Sequence, residues 1–181
     1  MDVVIFGNGG HGQDIAADLL GTYKRTHFLD DDPRRETRDP IPECTLRIIG
    51  VNDSRARRKL AERLGWRGGH WQHRRATVSS SVIGEHTHIN AGAFLTRCTL
   101  GDFVTVGPNA TICGDVTIGD DVMIGAGAVI RNLLTIGDGA VIGCGAVVVE
   151  DVPAGVTVVG NPARPIVRKS DSMASAVMGS C

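Results

Sequence analysis

A glycine-rich loop near the start of the chain carries residue types that bind phosphate. Residues 7–12 read GNGGHG, after a short apolar strand pattern and before a helical pattern that continues to Leu20. In a strand, G-x-G-x-x-G, helix arrangement, the glycines let the backbone approach a phosphate at the helix N-terminus. The loop therefore predicts a nucleotide contact. His11 is open to two interpretations, a ligand contact or a helix-start residue with a satisfied backbone contact.

Two acids follow the loop at the spacing of a nucleotide site. A second apolar strand, residues 26–29, ends in Asp30 and Asp31, about 20 residues after the glycines, where a carboxylate suits a ribose or a base. A third strand at 48–51 and a basic amphipathic helix at 54–64 complete only half of a dinucleotide-binding fold. A full NAD-dependent oxidoreductase is therefore not expected.

Two histidines, His86 and His88, are separated by one residue in a region with a strand pattern, so both side chains should share an outward face. Imidazoles in this arrangement could bind a metal or move a proton. A zinc site of three histidines lacks its third member here, because His70 and His73 precede the repeat described below. We therefore expect no metal.

Composition excludes several partners. The chain has 181 residues, with 19 Lys plus Arg against 20 Asp plus Glu, so the charge balance gives no sign of nucleic-acid binding. No apolar run approaches the roughly 18 residues that span a membrane, and the chain begins with an apolar strand instead of a basic leader. The five cysteines show no C-x-x-C spacing. We expect a reduced, cytoplasmic protein.

The element that must position these residues is a repeat across residues 83–149. Aliphatic residues recur at six-residue steps, with mostly small residues two positions earlier, and this is the signature of a parallel β-helix. The aliphatic positions are Ile83, Ile89, Leu95, Leu100, Val106, Ile112, Ile118, Ile124, Ile130, Ile136, Ile142 and Val148. One step within this range, from Leu95 to Leu100, has five residues.

Stacking the coils predicts which residues share a corner. One corner holds Gly84, Gly101, Gly119 and Gly137, and a second holds Asn90, Gly107, Gly125 and Gly143. A ladder of carboxylates follows the first corner: Glu85, Asp102, Asp120 and Asp138. These acids are either solvated turn residues or a cation site. The domain prediction is a nucleotide-binding unit at 1–74, the β-helix at 75–168 and a flexible tail at 169–181.

The glycine loop, the LDDDP segment at 29–33, the repeat and the closing GNPARPI segment at 160–166 together resemble bacterial sugar acyltransferases of the sialic-acid/bacillosamine type. The resemblance covers residues 1 to about 168. It implies a homotrimer of left-handed parallel β-helices, each with a small N-terminal Rossmann-like α/β domain. It also implies acetyl-CoA as co-substrate and an amino or hydroxyl group of a sugar, often nucleotide-linked, as acceptor.

The resemblance also implies roles for individual residues. Those that would bind the acceptor are Gly7, Gly9, His11, Gly12, Asp30, Asp31 and Asn90. Gly125 and Gly143 would offer backbone groups to acetyl-CoA at the coil corners, and Arg164 would lie near its phosphates, which a guanidinium pairs well.

The chain departs from these enzymes where they keep the histidine that serves as general base. Thr96, Arg97 and Cys98 stand there, one residue short, and a guanidinium stays charged at ordinary pH. The second histidine of these enzymes is Thr105 here. Two hypotheses follow: His88, one coil below Thr105, is the relocated base, or the protein binds its ligands without acyl transfer.

Overall fold

The computed structural model describes residues 2–7, 9–19, 26–29 and 45–166. The predicted site residues Asp30 and Asp31, and the whole of the predicted tail at 169–181, lie outside the described residues. The first part is a three-stranded parallel sheet in the order β2-β1-β3, with β1 at Asp2–Phe6, β2 at Thr26–Leu29 and β3 at Thr45–Ile49. It therefore begins with the strand, loop and helix that the sequence predicts.

Two helices accompany this sheet. Helix α1, Gly10–Asp18, begins directly after the glycine loop, and α2, Ser54–Leu64, follows β3. The side chain of Asp53 caps α2 by accepting a hydrogen bond from the Ala56 N–H at 2.7 Å, and Gly65 ends the helix in a left-handed conformation. No helix in the described part of the chain is long and apolar enough to cross a membrane.

The second part is a parallel β-solenoid built from the hexapeptide repeats, as predicted. Its strands form three sheets of seven, five and four strands, and each coil contributes one strand to each sheet. The strands are β4 Trp71–Gln72, β5 Thr77–Ser79, β6 Val82–Ile83, β7 His88–Ile89, β8 Phe94–Thr96, β9 Thr99–Leu100, β10 Thr105–Val106, β11 Thr111–Ile112, β12 Thr117–Ile118, β13 Met123–Ile124, β14 Val129–Ile130, β15 Thr135–Ile136, β16 Val141–Ile142, β17 Val147–Val148, β18 Thr157–Val159 and β19 Arg164–Pro165.

The core of the solenoid consists of the residues that the repeat predicts to point inward. Within the repeat, the aliphatic residues from Ile89 to Val148 are nearly inaccessible, and the small residues beside them, such as Ala110 and Ala128, are fully buried. Burial of this continuous aliphatic column holds the coils together, because each buried side chain of this size contributes about 1.5–3 kcal/mol.

The solenoid begins earlier than the repeat suggested, and its short step has a counterpart. Strand β5 precedes Ile83, and Val78 pairs with Leu95, which pairs with Ile112. The step from Val78 to Ile83 also has five residues, so two short steps stack at one corner. Ser80 and Arg97 turn this corner with positive φ angles of 51° and 44°. The five-residue step is therefore a regular feature of this corner in the first two coils.

The carboxylate ladder has a structural role that neither sequence interpretation included. Each acid after the first accepts a hydrogen bond from the backbone N–H of the acid one coil before it. Asp102 accepts from Glu85 at 2.7 Å, Asp120 from Asp102 at 2.8 Å and Asp138 from Asp120 at 2.9 Å. The described residues contain no group of acids, cysteines or histidines that could hold a metal ion.

Helices α1 and α2 cover part of one face of the solenoid, around strands β7 and β10. The outward face predicted for His86 and His88 is therefore covered and not open to solvent, since the two side chains are 4% and 1% exposed. His86 stacks on Phe103 with ring centres 4.9 Å apart, beneath α2. A strand pattern gives the direction of a side chain relative to its own sheet, but it cannot show that another domain packs on that face.

Candidate active site

A histidine pair joins the glycine loop to the solenoid. The Nε2 atom of His11, in the first turn of α1, lies 2.9 Å from the Nδ1 atom of His88 in β7. Both rings pack edge-on against Trp71, at ring-centre distances of 5.6 Å for His11 and 5.8 Å for His88. At this separation one nitrogen must donate a proton and the other must accept it. The two imidazoles therefore share one proton across the boundary between the two parts of the chain.

Burial favours the uncharged form of both imidazoles. Burial and then the positive charge of Arg57 hold the pKa of His88 well below its usual value of 6.5. The same two causes lower the pKa of His11, and the nearby carboxylate of Asp14 partly offsets them. Neutral histidine can accept a proton at physiological pH, so the electrostatics of the pair suit proton transfer.

Arg57 supplies this charge from a fully buried position on α2. Its guanidinium donates to the carbonyls of His86 (2.9 Å), Val51 (2.8 Å), Asn52 (3.0 Å), Phe103 (2.8 Å) and Val104 (3.2 Å), and to the Oγ1 atom of Thr105 (3.0 Å). Burial lowers the pKa of Arg57 to about 10, so the group stays charged at neutral pH. These hydrogen bonds of the Arg57 guanidinium are called the Arg57 clamp below. Thr105, where the resembling enzymes have a histidine, is therefore one of the acceptors in the clamp.

A pocket of about 310 Å³ opens between α1 and the solenoid. Asp14 and Asp18 line it from α1, while Trp71, His73 and Asn90 line it from the first coils. The Nδ2 atom of Asn90 donates to the Val106 carbonyl at 2.8 Å, which fixes the orientation of the amide. This pocket is called the α1 pocket below. In it Asn90, which is predicted to bind the acceptor substrate, lies next to the helix that follows the glycine loop.

His73 contributes a fixed imidazole to the α1 pocket. Its Nδ1 atom accepts a hydrogen bond from the Arg75 N–H at 3.0 Å, and its Nε2 atom lies 3.5 Å from the Oδ1 atom of Asp18. Because Nδ1 accepts, the proton of the neutral ring is on Nε2 and faces the carboxylate. Neither nitrogen of His73 is therefore available to take a proton from a substrate.

The glycine loop divides into a packed part and an open part. Gly7 has a φ of +95°, and a side chain at Gly12 would collide with the Gly7 carbonyl, so both glycines are needed for the loop to close on β1 and α1. A Cβ atom at Gly9 or Gly10 would meet nothing within 4 Å. The accessible backbone for a phosphate is therefore at Gly9 and Gly10, at the N-terminus of α1.

The corner that lacks the histidine of the resembling enzymes is filled by an ion pair. The guanidinium of Arg97 lies over Gly114, and its Nη2 atom is 3.3 Å from the Oδ2 atom of Asp115. Cys98 is 3% exposed, its thiol lies 3.3 Å from the Ser81 hydroxyl, and burial raises its pKa. A buried thiol with a raised pKa is a poor nucleophile, so Cys98 does not act as a reactive group in place of the absent histidine.

The residues predicted to bind acetyl-CoA lie on later coils. Gly125 stacks directly on Gly143, because a Cβ atom at Gly125 would fall 2.7 Å from the Gly143 carbonyl carbon. Arg164, in β19, has a side chain that is 57% exposed, and its Nη2 atom lies 3.9 Å from the Oε1 atom of Glu150. Its Nη1 atom donates to the Ala163 carbonyl at 2.8 Å, which leaves other donors of the guanidinium for an anion.

Sequence reasoning missed Arg57 and Trp71. Arg57 stands in the run SRARRKLAERL, where composition does not separate it from its neighbours. Its spacing from Ser54 and Ala61 distinguishes Arg57 from the other arginines of the run, because these three residues form the buried face of α2. Trp71 falls within the nucleotide-binding unit predicted at 1–74, although it lies in β4, the first strand of the solenoid, where it pairs with His88 of β7.

Comparison with known proteins agrees with this architecture. The model of bacterial transferase hexapeptide repeats, which spans six repeats, matches residues 97–132. The acetyltransferase domain of PglB from Neisseria gonorrhoeae FA1090 is 32% identical, with a TM-score of 0.77 over 91% of this chain and 99% of that chain. No curated protein sequence matches the chain significantly.

Two further solved structures extend the similarity. PerB from Caulobacter crescentus, in complex with CoA and GDP-perosamine, is 26% identical, with a TM-score of 0.77 over 92% of this chain and 98% of that chain. WeeI from Acinetobacter baumannii AYE is 25% identical, with a TM-score of 0.67 over 92% of this chain and 100% of that chain.

The solenoid and its repeats define a hexapeptide-repeat transferase. Within that class, the chain belongs to the sugar acyltransferases that its motifs resemble, since the 32% identity extends over 91% of this chain and 99% of the solved relative. The protein is an acyltransferase.

Proposed function

We propose that the protein transfers an acetyl group from acetyl-CoA to an amino or hydroxyl group of a nucleotide-linked sugar. The observation that carries the proposal is the α1 pocket, in which α1, the helix that starts at the glycine loop, and Asn90 of the solenoid line the same cavity. Phosphates at Gly9 and Gly10 would place the sugar end of such a substrate toward this pocket.

Related structures support the choice of substrates. The PglB acetyltransferase domain has also been solved in complex with acetyl coenzyme A and is 33% identical to this chain. A histidine variant of perosamine N-acetyltransferase from Caulobacter crescentus has been solved with CoA and GDP-perosamine and is 26% identical. In this proposal Gly125 and Gly143 offer backbone groups to acetyl-CoA, and the exposed guanidinium of Arg164 meets its phosphates.

The same proposal includes the assembly. The N-terminal part is a Rossmann-like domain at 1–74 that binds the nucleotide, the left-handed β-helix domain spans 75–168, and three copies form a cytoplasmic homotrimer with the acyl donor between neighbouring solenoids. Orientation of two substrates at such an interface lowers the barrier by several kcal/mol. Light scattering tests the assembly, with an expected mass of three times the 19.1 kDa chain.

The test of the reaction is a thiol-release assay with acetyl-CoA and a panel of UDP-, GDP- and dTDP-linked amino sugars. Acceptor-dependent release of CoA is expected, with release in the absence of acceptor as the control. The Asn90→Ala variant should raise the KM for the acceptor while the KM for acetyl-CoA stays unchanged. Tight nucleotide binding without turnover for any acceptor would instead make the protein a binding protein on this fold.

A further inference from the structure

We propose that His11 is the general base of this acyltransferase and that His88 is the positioning residue that orients it. This inference rests on the proposed function. It reverses the roles that the sequence suggested, where His88 was the base and His11 a contact of the acceptor. The proposal stands on the geometry of the pair, on the face of α1 that carries His11, and on the absence of a histidine at residues 96–98.

Accessibility separates the two histidines. His88 is 1% exposed, with His11, Trp71 and the chain of its own coil packed around it, so a substrate cannot touch it. His11 is half-buried, and it uses its Nε2 edge for the contact with His88. Among the described residues, the Nδ1 atom of His11 has no hydrogen-bond partner, so this edge is the one that can meet a substrate.

The position of His11 on α1 places it beside the α1 pocket, although His11 is not itself one of the lining residues. Residues 11, 14 and 18 follow the spacing of one helix face, and Asp14 and Asp18 line the pocket. The ring of Trp71, which also lines the pocket, is in edge contact with His11. His11 therefore lies one helical turn before Asp14, on the glycine-loop side of the pocket, which a nucleotide-linked acceptor with its phosphates at Gly9 and Gly10 would pass.

The charged groups around His11 keep it ready to accept a proton. Arg57 of α2 faces it with a positive charge, Asp14 of α1 faces it with a negative charge, and His88 and His86 of the solenoid are themselves neutral near pH 7. Burial and Arg57 outweigh Asp14, so the pKa of His11 lies below 6.5. A base with such a pKa is mostly deprotonated at neutral pH.

The proton balance of the reaction defines the role of His88. In the productive tautomer His11 donates its Nε2–H to the Nδ1 atom of His88, which leaves the Nδ1 lone pair of His11 free. The acceptor nitrogen or oxygen attacks the thioester carbonyl and loses its proton to this lone pair. The C–S bond then breaks, and the leaving thiolate takes the proton from His11, so that HS-CoA and the acylated sugar are formed. No proton has to pass to His88.

The variants His11→Asn, His88→Gln and His88→Leu test the proposal by steady-state kinetics, with His70→Asn as the control because His70 is exposed and outside the α1 pocket. His11→Asn should lower kcat by about 10²–10⁴-fold with little change in KM. His88→Gln keeps an acceptor for the His11 Nε2–H and should stay within about tenfold of the wild type. His88→Leu removes that acceptor and should lose most of kcat.

The pH profile distinguishes base catalysis from a structural effect. Wild-type and His70→Asn kcat/KM should rise with pH through the pKa of His11, and His11→Asn should lose this rise. A His11→Asn variant that keeps the wild-type kcat and pH profile would overturn the inference while the proposed function stands. Absence of turnover in the wild type with every acceptor would overturn the proposed function and the inference with it.

A measurement without turnover covers the case in which a variant does not fold. Nitrogen-15 spectra of histidine-labelled wild-type protein at pH 7.5 report the tautomer of each imidazole. His11 is expected as the neutral Nε2–H tautomer, with a hydrogen-bonded Nδ1 in His88. A neutral His11 that carries its proton on Nδ1 has no free lone pair on the edge away from His88, and this result would contradict the assignment.

Discussion

The Nη2 atom of Arg57 donates a hydrogen bond to the Oγ1 atom of Thr105 at 3.0 Å, and this contact joins helix α2 to strand β10 of the solenoid. Thr105 also donates to the Asn52 carbonyl at 3.1 Å. The two residues thus connect β10, α2 and the loop before α2. Because this connection holds α2 against β10, it helps to determine where the N-terminal part lies relative to the solenoid.

Replacement of Arg57 should destabilise the protein strongly. Arg57→Met removes every donor of the clamp and leaves buried carbonyl groups of both parts of the chain unpaired. Because each unpaired buried group costs about 1–3 kcal/mol, we expect a loss of at least about 3 kcal/mol in the free energy of unfolding, measured by urea denaturation. Arg55→Met, on an exposed position of the same helix, is the control and should change stability by no more than about 0.5 kcal/mol. Equal effects of both substitutions would contradict the clamp.

The carboxylate ladder should depend on hydrogen bonding and not on a cation. Asp102→Ala leaves the Glu85 N–H without its acceptor and should cost about 0.5–1.5 kcal/mol, whereas Asp102→Asn keeps an acceptor oxygen and should cost less. Glu85→Ala is the control, because this exposed acid is the first of the ladder. Thermal unfolding with calcium and with EDTA should give the same Tm. A calcium-dependent rise in Tm that Asp102→Asn abolishes would restore the cation interpretation.

Gly125 should be required for stacking of the coils even without acetyl-CoA. A Cβ atom there would lie 2.5 Å from the Cys144 backbone nitrogen, so Gly125→Ala should cost about 2–3 kcal/mol in urea unfolding of the ligand-free protein. Gly127→Asn is the matched control. Its φ is +66°, a Cβ atom there meets nothing within 4 Å, and Asn109 already has a φ of 55° one coil earlier. Full stability of Gly125→Ala would show that the coils can separate at this corner.

Stability should fall as the pH is lowered below about 6.5. The pKa of His88 is lower in the folded protein than in the unfolded chain, so below that pH the unfolded chain binds a proton that the folded protein does not. The free energy of unfolding then decreases by up to about 1.4 kcal/mol per pH unit for such a group. Urea midpoints at pH 7.5, 6.5 and 5.5 should show a smaller decrease for His88→Gln than for the wild type. Parallel pH dependences would show that His88 is protonated in the folded protein too.

Much of the solenoid was predictable from the sequence because its information is local. Each coil repeats one pattern of aliphatic, small and corner residues, and backbone pairing between successive coils follows from a period of 17 or 18 residues, as in the pairs Glu85–Asp102 and Asp102–Asp120. The residues that pair between successive coils can then be identified by counting 17 or 18 positions along the sequence. The first coil was missed, because the polar residue Gln72, which pairs with Ile89, stands where the later coils have an aliphatic residue.

The candidate site was less predictable, since its residues come from both parts of the chain. The motif around His11 and the strand position of His88 could each be recognised, but they are 77 residues apart and only docking of α1 on the solenoid brings them together. Docking of α2 buries Arg57 in the same way, and the contact with α1 leaves His88 out of reach of a substrate. Sequence alone therefore determined the repeat, the glycine loop and the missing histidine at 96–98, all of which are short-range patterns. Tertiary structure decided which of His11 and His88 remains accessible, because burial and charge depend on how two surfaces meet.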